Sequence, residues 1–124
     1  MTNEEKDLLL KDLCSRLPYC VKCEMTCWDE ELGEVIRPVT LYSINKDGYC
    51  YISEDDYSPY IEEIKPYLFP FSSMTEEQKE DMIKSSCGIG LDKNVFDWYN
   101  KNHFDWRGLI PKGLANDATG LNIY

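Results

Sequence analysis

The apolar residues change their spacing at Pro18, and this change limits the fold more than any other feature of the sequence. Before it, leucines recur at helical spacing and Thr2 with Glu5 forms a capping box, so we predict a helix over 3–16. After it, apolar and polar residues alternate with a period of two, which predicts an antiparallel meander over 19–53. A helix followed by antiparallel strands indicates the α+β class.

The second half of the chain returns to helical patterns. Thr75 with Gln78 forms a second capping box, which predicts a helix over about 75–85, and an apolar face predicts another helix over about 94–103. Glycines and a proline interrupt residues 104–124. We expect this last stretch to wrap the body of the protein in turns.

Composition and length indicate one packed domain over residues 1–124. Hydrophobic residues make up 43% of the 124 residues, which is enough to build a core. We therefore expect a single small α+β domain with a three- to four-stranded antiparallel sheet, an N-terminal helix and two further helices.

The charge of the chain is strongly negative and unevenly distributed. The net charge is −10, and such an excess of carboxylates argues against generic nucleic-acid binding, which needs lysine and arginine to contact phosphates. Residues 1–62 hold 14 acidic and six basic side chains, whereas residues 63–124 hold nine and seven. Acidic side chains cluster at 29–34, so the first half of the chain would complement a basic partner.

The sequence favours a cytoplasmic protein that does not associate with membranes. No apolar run approaches the roughly 18 to 20 residues that span a bilayer. The first eleven residues are acidic and polar, whereas a signal peptide begins basic and continues apolar. We therefore expect the six cysteines to be reduced thiols.

Three cysteines have a spacing that could hold zinc. Cys20, Cys23 and Cys27 lie within eight residues, and thiolates are good zinc ligands. On an extended strand, however, Cys20 points to one face while Cys23 and Cys27 point to the other. We favour buried thiols over a zinc site.

A second pattern resembles a calcium-binding loop. Asn45, Asp47 and Glu54 occupy ligand positions of an EF-hand loop, with Gly48 at the position of its sharp turn. The flanking residues predict strands rather than the helices that an EF-hand requires. A hairpin turn explains the same residues, and we expect neither a metal nor a cofactor.

The residues that follow the third predicted helix form the best candidate binding site. His103 is the only histidine, and Trp106 beside Arg107 could stack a base and hold a phosphate. Asp105 completes this group, and we assign no catalytic residue. The same residues could instead form a structural clasp.

Three stretches, residues 8–19, 64–78 and 97–115, together carry a family resemblance. The last of them contains His-Phe-Asp-Trp-Arg-Gly-Leu-Ile followed by Gly-Leu-Ala. In these stretches the chain resembles a family of small uncharacterised proteins from gut-bacterial genomes and their phages. The resemblance implies an intracellular protein of phage or mobile-element origin and brings no activity with it.

These observations predict a non-enzymatic, acidic interaction protein of phage or mobile-element type that binds a protein partner. A partner with a basic surface would complement the acidic half. The alternative is a small-ligand or nucleotide-binding module, or a minor enzyme, that uses residues 103–107.

Overall fold

A helix packed on one face of an open sheet forms the body of the protein. The computed structural model describes residues 1–52, 58–85 and 91–124. The strands are β1 (Lys22–Asp29), β2 (Gly33–Ile44), β3 (Cys50–Ile52), β4 (Ile64–Leu68) and β5 (Asn116–Asp117). The helices are α1 (Asn3–Arg16), α2 (Glu76–Ser85) and α3 (Leu91–Lys101). The predicted α+β class, with an N-terminal helix and two further helices, is confirmed.

The sheet has the strand order β3-β2-β1-β4-β5. Strands β1, β2 and β3 pair antiparallel in chain order, and β4 pairs antiparallel with the free side of β1. The fifth strand, β5, was not predicted. It runs parallel to β4, with Asn116 beside Tyr67 of β4 and Asp117 beside Leu68. A two-residue strand is too short to show an apolar–polar alternation in the sequence. Only the return of the C-terminal segment to β4 creates this pairing.

Both predicted capping boxes are present. Thr2 Oγ1 accepts a hydrogen bond from the Glu5 N–H at 3.1 Å, and the Glu5 carboxylate accepts one from the Thr2 N–H at 3.0 Å. Thr75 and Gln78 make the same reciprocal pair at 3.1 and 2.8 Å. Each pair satisfies two backbone donors that the first turn of a helix would otherwise leave without a partner.

Helix α3 spans Leu91–Lys101 rather than the predicted 94–103. It ends early because His103 adopts a left-handed conformation with φ of 64°. The His103 N–H then bonds the Asn100 carbonyl at 3.3 Å, and the Phe104 N–H bonds the Tyr99 carbonyl at 2.9 Å. This arrangement closes the helix and turns the chain back toward the sheet.

The core lies between α1 and one face of the sheet. Helix α1 contributes Leu9 and Leu13, and the alternation along the strands sends every second side chain inward. Leu109 and Leu114 from the C-terminal segment join the same cluster. The strand residues of this core are Cys23, Met25, Val39, Leu41, Cys50, Ile52, Ile64 and Leu68.

The β1–β2 hairpin is longer than the strand beside it. Strand β1 pairs with β4 only from Cys23 to Met25, whereas its pairing with β2 continues to the turn at Gly33. We call the remaining part, residues 26–36, the hairpin arm. None of its residues is buried. The arm therefore extends beyond the part of the sheet that the core stabilises.

Within the described part of the chain, no helix combines the length and the apolar character that a membrane crossing requires.

Candidate functional site

The predicted site residues gather around a buried ion pair on α1. Asp12 and Arg16 are one helical turn apart and fully buried, with Arg16 Nε donating to Asp12 Oδ2 at 2.8 Å. Arg16 Nη2 donates a second bond to Asp12 at 3.1 Å and a third to the Phe104 carbonyl at 2.6 Å. Two charges can be buried together only when such extra hydrogen bonds accompany their attraction.

Arg107 joins this ion pair from the C-terminal segment. Its Nη1 donates to Asp12 Oδ1 at 3.1 Å and lies 3.2 Å from the Ser15 hydroxyl. The Asp12 carboxylate thus binds two guanidinium groups, from Arg16 and from Arg107. Arg107 is therefore engaged with α1, which makes it a poor holder of a phosphate.

The Trp106 ring is also held by neighbouring side chains. Its indole Nε1 donates to Asn100 Oδ1 at 2.9 Å, and the Arg107 guanidinium lies 3.9 Å from its ring centre. The ring of Phe96 lies 4.4 Å away, centre to centre. A base that stacked on Trp106 would compete with these contacts.

The Asp105 carboxylate accepts hydrogen bonds from the backbone of its own segment. It is buried, and its two carboxylate oxygens accept hydrogen bonds from the Leu109 N–H at 2.8 Å and the Ile110 N–H at 2.9 Å. These bonds hold the turn that leads Leu109 into the core. The carboxylate is therefore occupied by its own chain.

His103 is neutral at physiological pH. Burial, together with the nearby Arg16 charge, lowers its pKa to about 4. The Tyr124 ring stacks on its imidazole with the ring centres 3.6 Å apart. Its Nδ1 is buried and has no hydrogen-bond partner among the described residues. At Nδ1, no carboxylate of the described residues orients this imidazole as a general base would require.

Taken together, these contacts tie three parts of the fold to one another. We call this group the C-terminal clasp; its members are Asp12, Ser15, Arg16, Asn100 and residues 103–107. The clasp brings together all four predicted site residues: Asp105, Trp106 and Arg107 make hydrogen bonds within the protein, and the His103 ring stacks on Tyr124. The geometry favours the structural alternative for this segment.

The structure places the three cysteines of the zinc hypothesis in different environments. Cys20 is exposed at a left-handed residue before β1, Cys23 is buried in the core, and Cys27 is half-buried in the hairpin arm. Over residues 1–52, 58–85 and 91–124, no three histidine, cysteine or acidic side chains are grouped to hold a metal ion. Burial raises the pKa of a further core thiol, that of Cys50, to about 12.

The loop that resembles an EF-hand is a hairpin turn between β2 and β3. Asn45 Oδ1 accepts hydrogen bonds from the N–H groups of Asp47 at 2.9 Å and Tyr49 at 3.0 Å. The side-chain oxygen that calcium would need is thus used to shape the turn. Glu54, the remaining predicted ligand, lies outside the described residues.

The hairpin arm carries the most exposed large apolar side chains of the described chain. Trp28 and Leu32 are each 77% exposed. The indole lies beside Gly33, where an added Cβ would be 3.9 Å from the ring. Sequence alternation assigned Trp28 to one face of a half-buried strand without showing that this face is uncovered. The signal that could have revealed it is the pair of large apolar residues bracketing an acidic loop.

Hydrogen bonds fix the shape of the arm's tip. Asp29 Oδ1 accepts from the N–H groups of Glu31 at 2.8 Å and Leu32 at 3.0 Å. These bonds lower the pKa of Asp29. Gly33 follows with φ of 80°, a conformation that glycine adopts without strain. Trp28 and Leu32 are therefore presented by an ordered turn.

Carboxylates surround this apolar tip. Asp29, Glu30, Glu31 and Glu34 are all exposed on the arm. An acidic groove of about 480 Å³ runs along the base of the arm and is lined by Thr26, Cys27, Trp28, Glu34, Glu62 and Glu63. Lys6 pairs with Glu62, one of the residues that line this groove.

The apolar surface continues from the arm onto the outer face of the sheet. Ile36 and Tyr42 of β2 share the face of Trp28, and both are more than half exposed. Tyr51 of β3 extends this surface to the edge of the sheet. Exposed aromatic and aliphatic side chains on one face are typical of a protein-binding surface.

The fold and surface define a small α+β protein with an acidic arm that exposes Trp28 and Leu32. Comparisons with protein-family models, with curated proteins and with solved structures found no match to this chain.

Proposed function

We propose that this chain is a non-enzymatic interaction protein that binds a basic protein partner through the hairpin arm. The observation that carries the proposal is the exposure of Trp28 and Leu32 within a ring of carboxylates. Tryptophan is enriched among the residues that dominate binding energy. Its exposure on an ordered turn lets it enter a pocket of a partner without rearranging the protein's core.

Charge supports a basic partner. The exposed carboxylates of the arm, together with Glu62 and Glu63 just before β4, create a negative field at one end of the molecule. Such a field accelerates encounter with a positive surface and disfavours acidic partners. The phage or mobile-element setting that the sequence resemblance suggests would fit a partner of the host or the phage.

The competing proposal places a small ligand or a nucleotide at residues 103–107. Arg107 and Asp105 make their hydrogen bonds to the protein itself, and Trp106 is stacked against Arg107. A ligand would have to displace these bonds before it could bind. The arm offers exposed groups and needs no such displacement, so we favour it.

The test compares capture of partners by the full-length chain and by an arm variant, Trp28→Ser with Leu32→Ser, in extracts of the native cell. We expect the captured partner to have a basic surface and to bind the arm variant about 100-fold more weakly, the scale of two hot-spot side chains. Its association rate with the unaltered chain should fall at least about tenfold between low and high salt.

The matched control is Leu121→Ser, which removes a large exposed side chain far along the sequence from the arm. It should capture the partner as well as the unaltered chain does. Equal capture by the arm variant, or an association rate that does not respond to salt, would overturn the proposal. If Arg107→Lys rather than the arm variant abolished capture, the clasp would be the site.

A further inference from the structure

The hydrogen-bond direction along β1 alternates from residue to residue, as in any antiparallel strand. The Leu41 N–H donates to the Val21 carbonyl at 3.1 Å, so the odd-numbered residues of β1 face β2. The backbone groups of the even-numbered residues therefore point to the opposite edge, where β4 lies. These residues are Lys22, Glu24, Thr26 and Trp28.

Two of these four positions are satisfied by the fold. At Lys22, the Tyr124 hydroxyl oxygen accepts from the backbone N–H at 2.9 Å and lies 3.3 Å from the carbonyl oxygen. The same hydroxyl lies 2.8 Å from the Tyr67 carbonyl of β4, so it fills the gap where the two strands diverge. At Glu24, the edge is paired with Lys65 of β4.

The other two positions extend beyond β4. The pairing of β1 with β4 stops at Met25 and Ile64, and the chain before Ile64 is the short helical turn Ile61–Glu63. Among the residues that the structure describes, no strand pairs with this edge at Thr26 or Trp28. An exposed strand edge of this kind can accept an added strand.

The acidic groove lies along this edge. Thr26, Cys27 and Trp28 form one wall of the groove, and Glu34, Glu62 and Glu63 contribute its charge. An extended segment placed there would continue the line of β4 and run antiparallel to β1. Its basic side chains would meet these carboxylates, and one of them would compete with Lys6 for Glu62.

We propose that the edge of β1 at Thr26 and Trp28 binds an extended, lysine- or arginine-rich segment of the partner as an added β-strand. This inference rests on the proposed function and specifies how the partner is held. A second copy of this chain is a poorer occupant, because pairing two arms would bring their acidic tips close together.

The experiment uses two synthetic peptides and the full-length chain. In the first peptide, lysines alternate with valines; the second has the same sequence with N-methyl groups on the central backbone nitrogens, so that it keeps its charge but cannot donate to a strand. Amide hydrogen exchange is followed by NMR with and without each peptide. A matched variant, Glu34→Gln, lowers the charge of the groove and leaves the backbone edge intact.

With the first peptide, we expect exchange of the Thr26 and Trp28 amides to slow at least about tenfold, since strand pairing protects amides from opening. The Cys27 amide faces β2 and should change little. The methylated peptide should bind at least about tenfold more weakly, and Glu34→Gln should weaken the first peptide without shifting the protected positions.

Equal binding of the two peptides would overturn strand addition while leaving the proposed function standing, since charge alone would then hold the partner. Failure of the first peptide to bind would also overturn strand addition, and arm-dependent capture would still decide the proposed function separately. Protection of Thr26 and Trp28 that grows with protein concentration in the absence of peptide would assign the edge to a second copy of the chain.

Discussion

Two tryptophans show how differently the same side chain is used in the two ends of this molecule. Trp106 lies in the C-terminal clasp, where its N–H donates to Asn100 and the Arg107 guanidinium lies over its ring. Trp28 lies in the hairpin arm and is 77% exposed. Carboxylates differ in the same way, since Asp12 is fully buried between arginines while those of the arm are exposed. The difference indicates that the clasp stabilises the fold and that the arm is available to bind.

The largest effect should come from breaking the buried ion pair. Asp12→Ala leaves the buried Arg16 guanidinium without its carboxylate, so the free energy of unfolding should fall by about 3–5 kcal/mol. Denaturant unfolding measures this change. Glu31→Ala is the control on the arm and should shift stability by less than about 0.5 kcal/mol. If the two variants were equally stable, the buried ion pair would not support the fold.

The next largest contrast in stability should be between variants of the two tryptophans. Trp106→Ala removes an indole hydrogen bond and two ring contacts, so we expect it to lower the free energy of unfolding by about 2–3 kcal/mol. Trp28→Ala removes an exposed ring and should change it by less than about 0.5 kcal/mol. Thermal melting of both variants checks this contrast. If the Trp106→Ala protein were as stable as the unaltered chain, the clasp would again be a candidate binding site.

A smaller effect should appear in the dependence of stability on pH. The folded-state pKa of His103, about 4, lies below its usual 6.5, so the unfolded chain binds the proton more readily. The contribution of His103 is therefore present above about pH 6.5 and is lost as the pH falls toward 4. His103→Asn keeps a residue that tolerates the left-handed backbone and removes this titration.

The measurement is the melting temperature of both proteins between pH 7 and pH 4. Carboxylates titrate in the two proteins alike, so the difference between them isolates His103. We expect the unaltered chain to lose more stability over this range than His103→Asn does. Parallel curves would show that His103 is accessible to protons in the folded state.

The smallest effect on stability should come from reversing the charge of the arm. Glu30→Lys with Glu31→Lys should leave the free energy of unfolding within about 0.5 kcal/mol of the unaltered chain, because both side chains are exposed. The same change should slow association with a basic partner about tenfold. Glu80→Lys on α2 is the control for charge reversal away from the arm. Equal slowing by this control would assign the effect to net charge alone.

Local patterns were sufficient where short-range physics decides the structure. The capping pairs Thr2–Glu5 and Thr75–Gln78 depend on side chains three residues apart, and both are present. The change of period at Pro18 marks the end of a helix and the start of strands. These signals gave the α+β class, because each depends on neighbours along the chain.

Other features depend on contacts between distant residues. The strand β5 exists because Asn116 returns to lie beside Tyr67, and the turn that follows α3 is held against the sheet by the Phe69 N–H, which donates to the His103 carbonyl at 2.8 Å. Neither contact leaves a periodic signal. The candidate site was affected in the same way: a run of His103, Asp105, Trp106 and Arg107 has the composition of a binding site wherever it lies.

The sequence by itself determined the α+β class, the capped helices and the excess of negative charge near residues 29–34. Tertiary structure alone decided which aromatic and charged side chains remain accessible. The physical reason is that exposure depends on what packs against a residue from elsewhere in the chain. Asp12 and Ser15 of α1 meet Arg107 across more than 90 residues, whereas the hairpin arm extends past the end of β4. The clasp residues are therefore buried or half-buried, and Trp28 stayed at the surface.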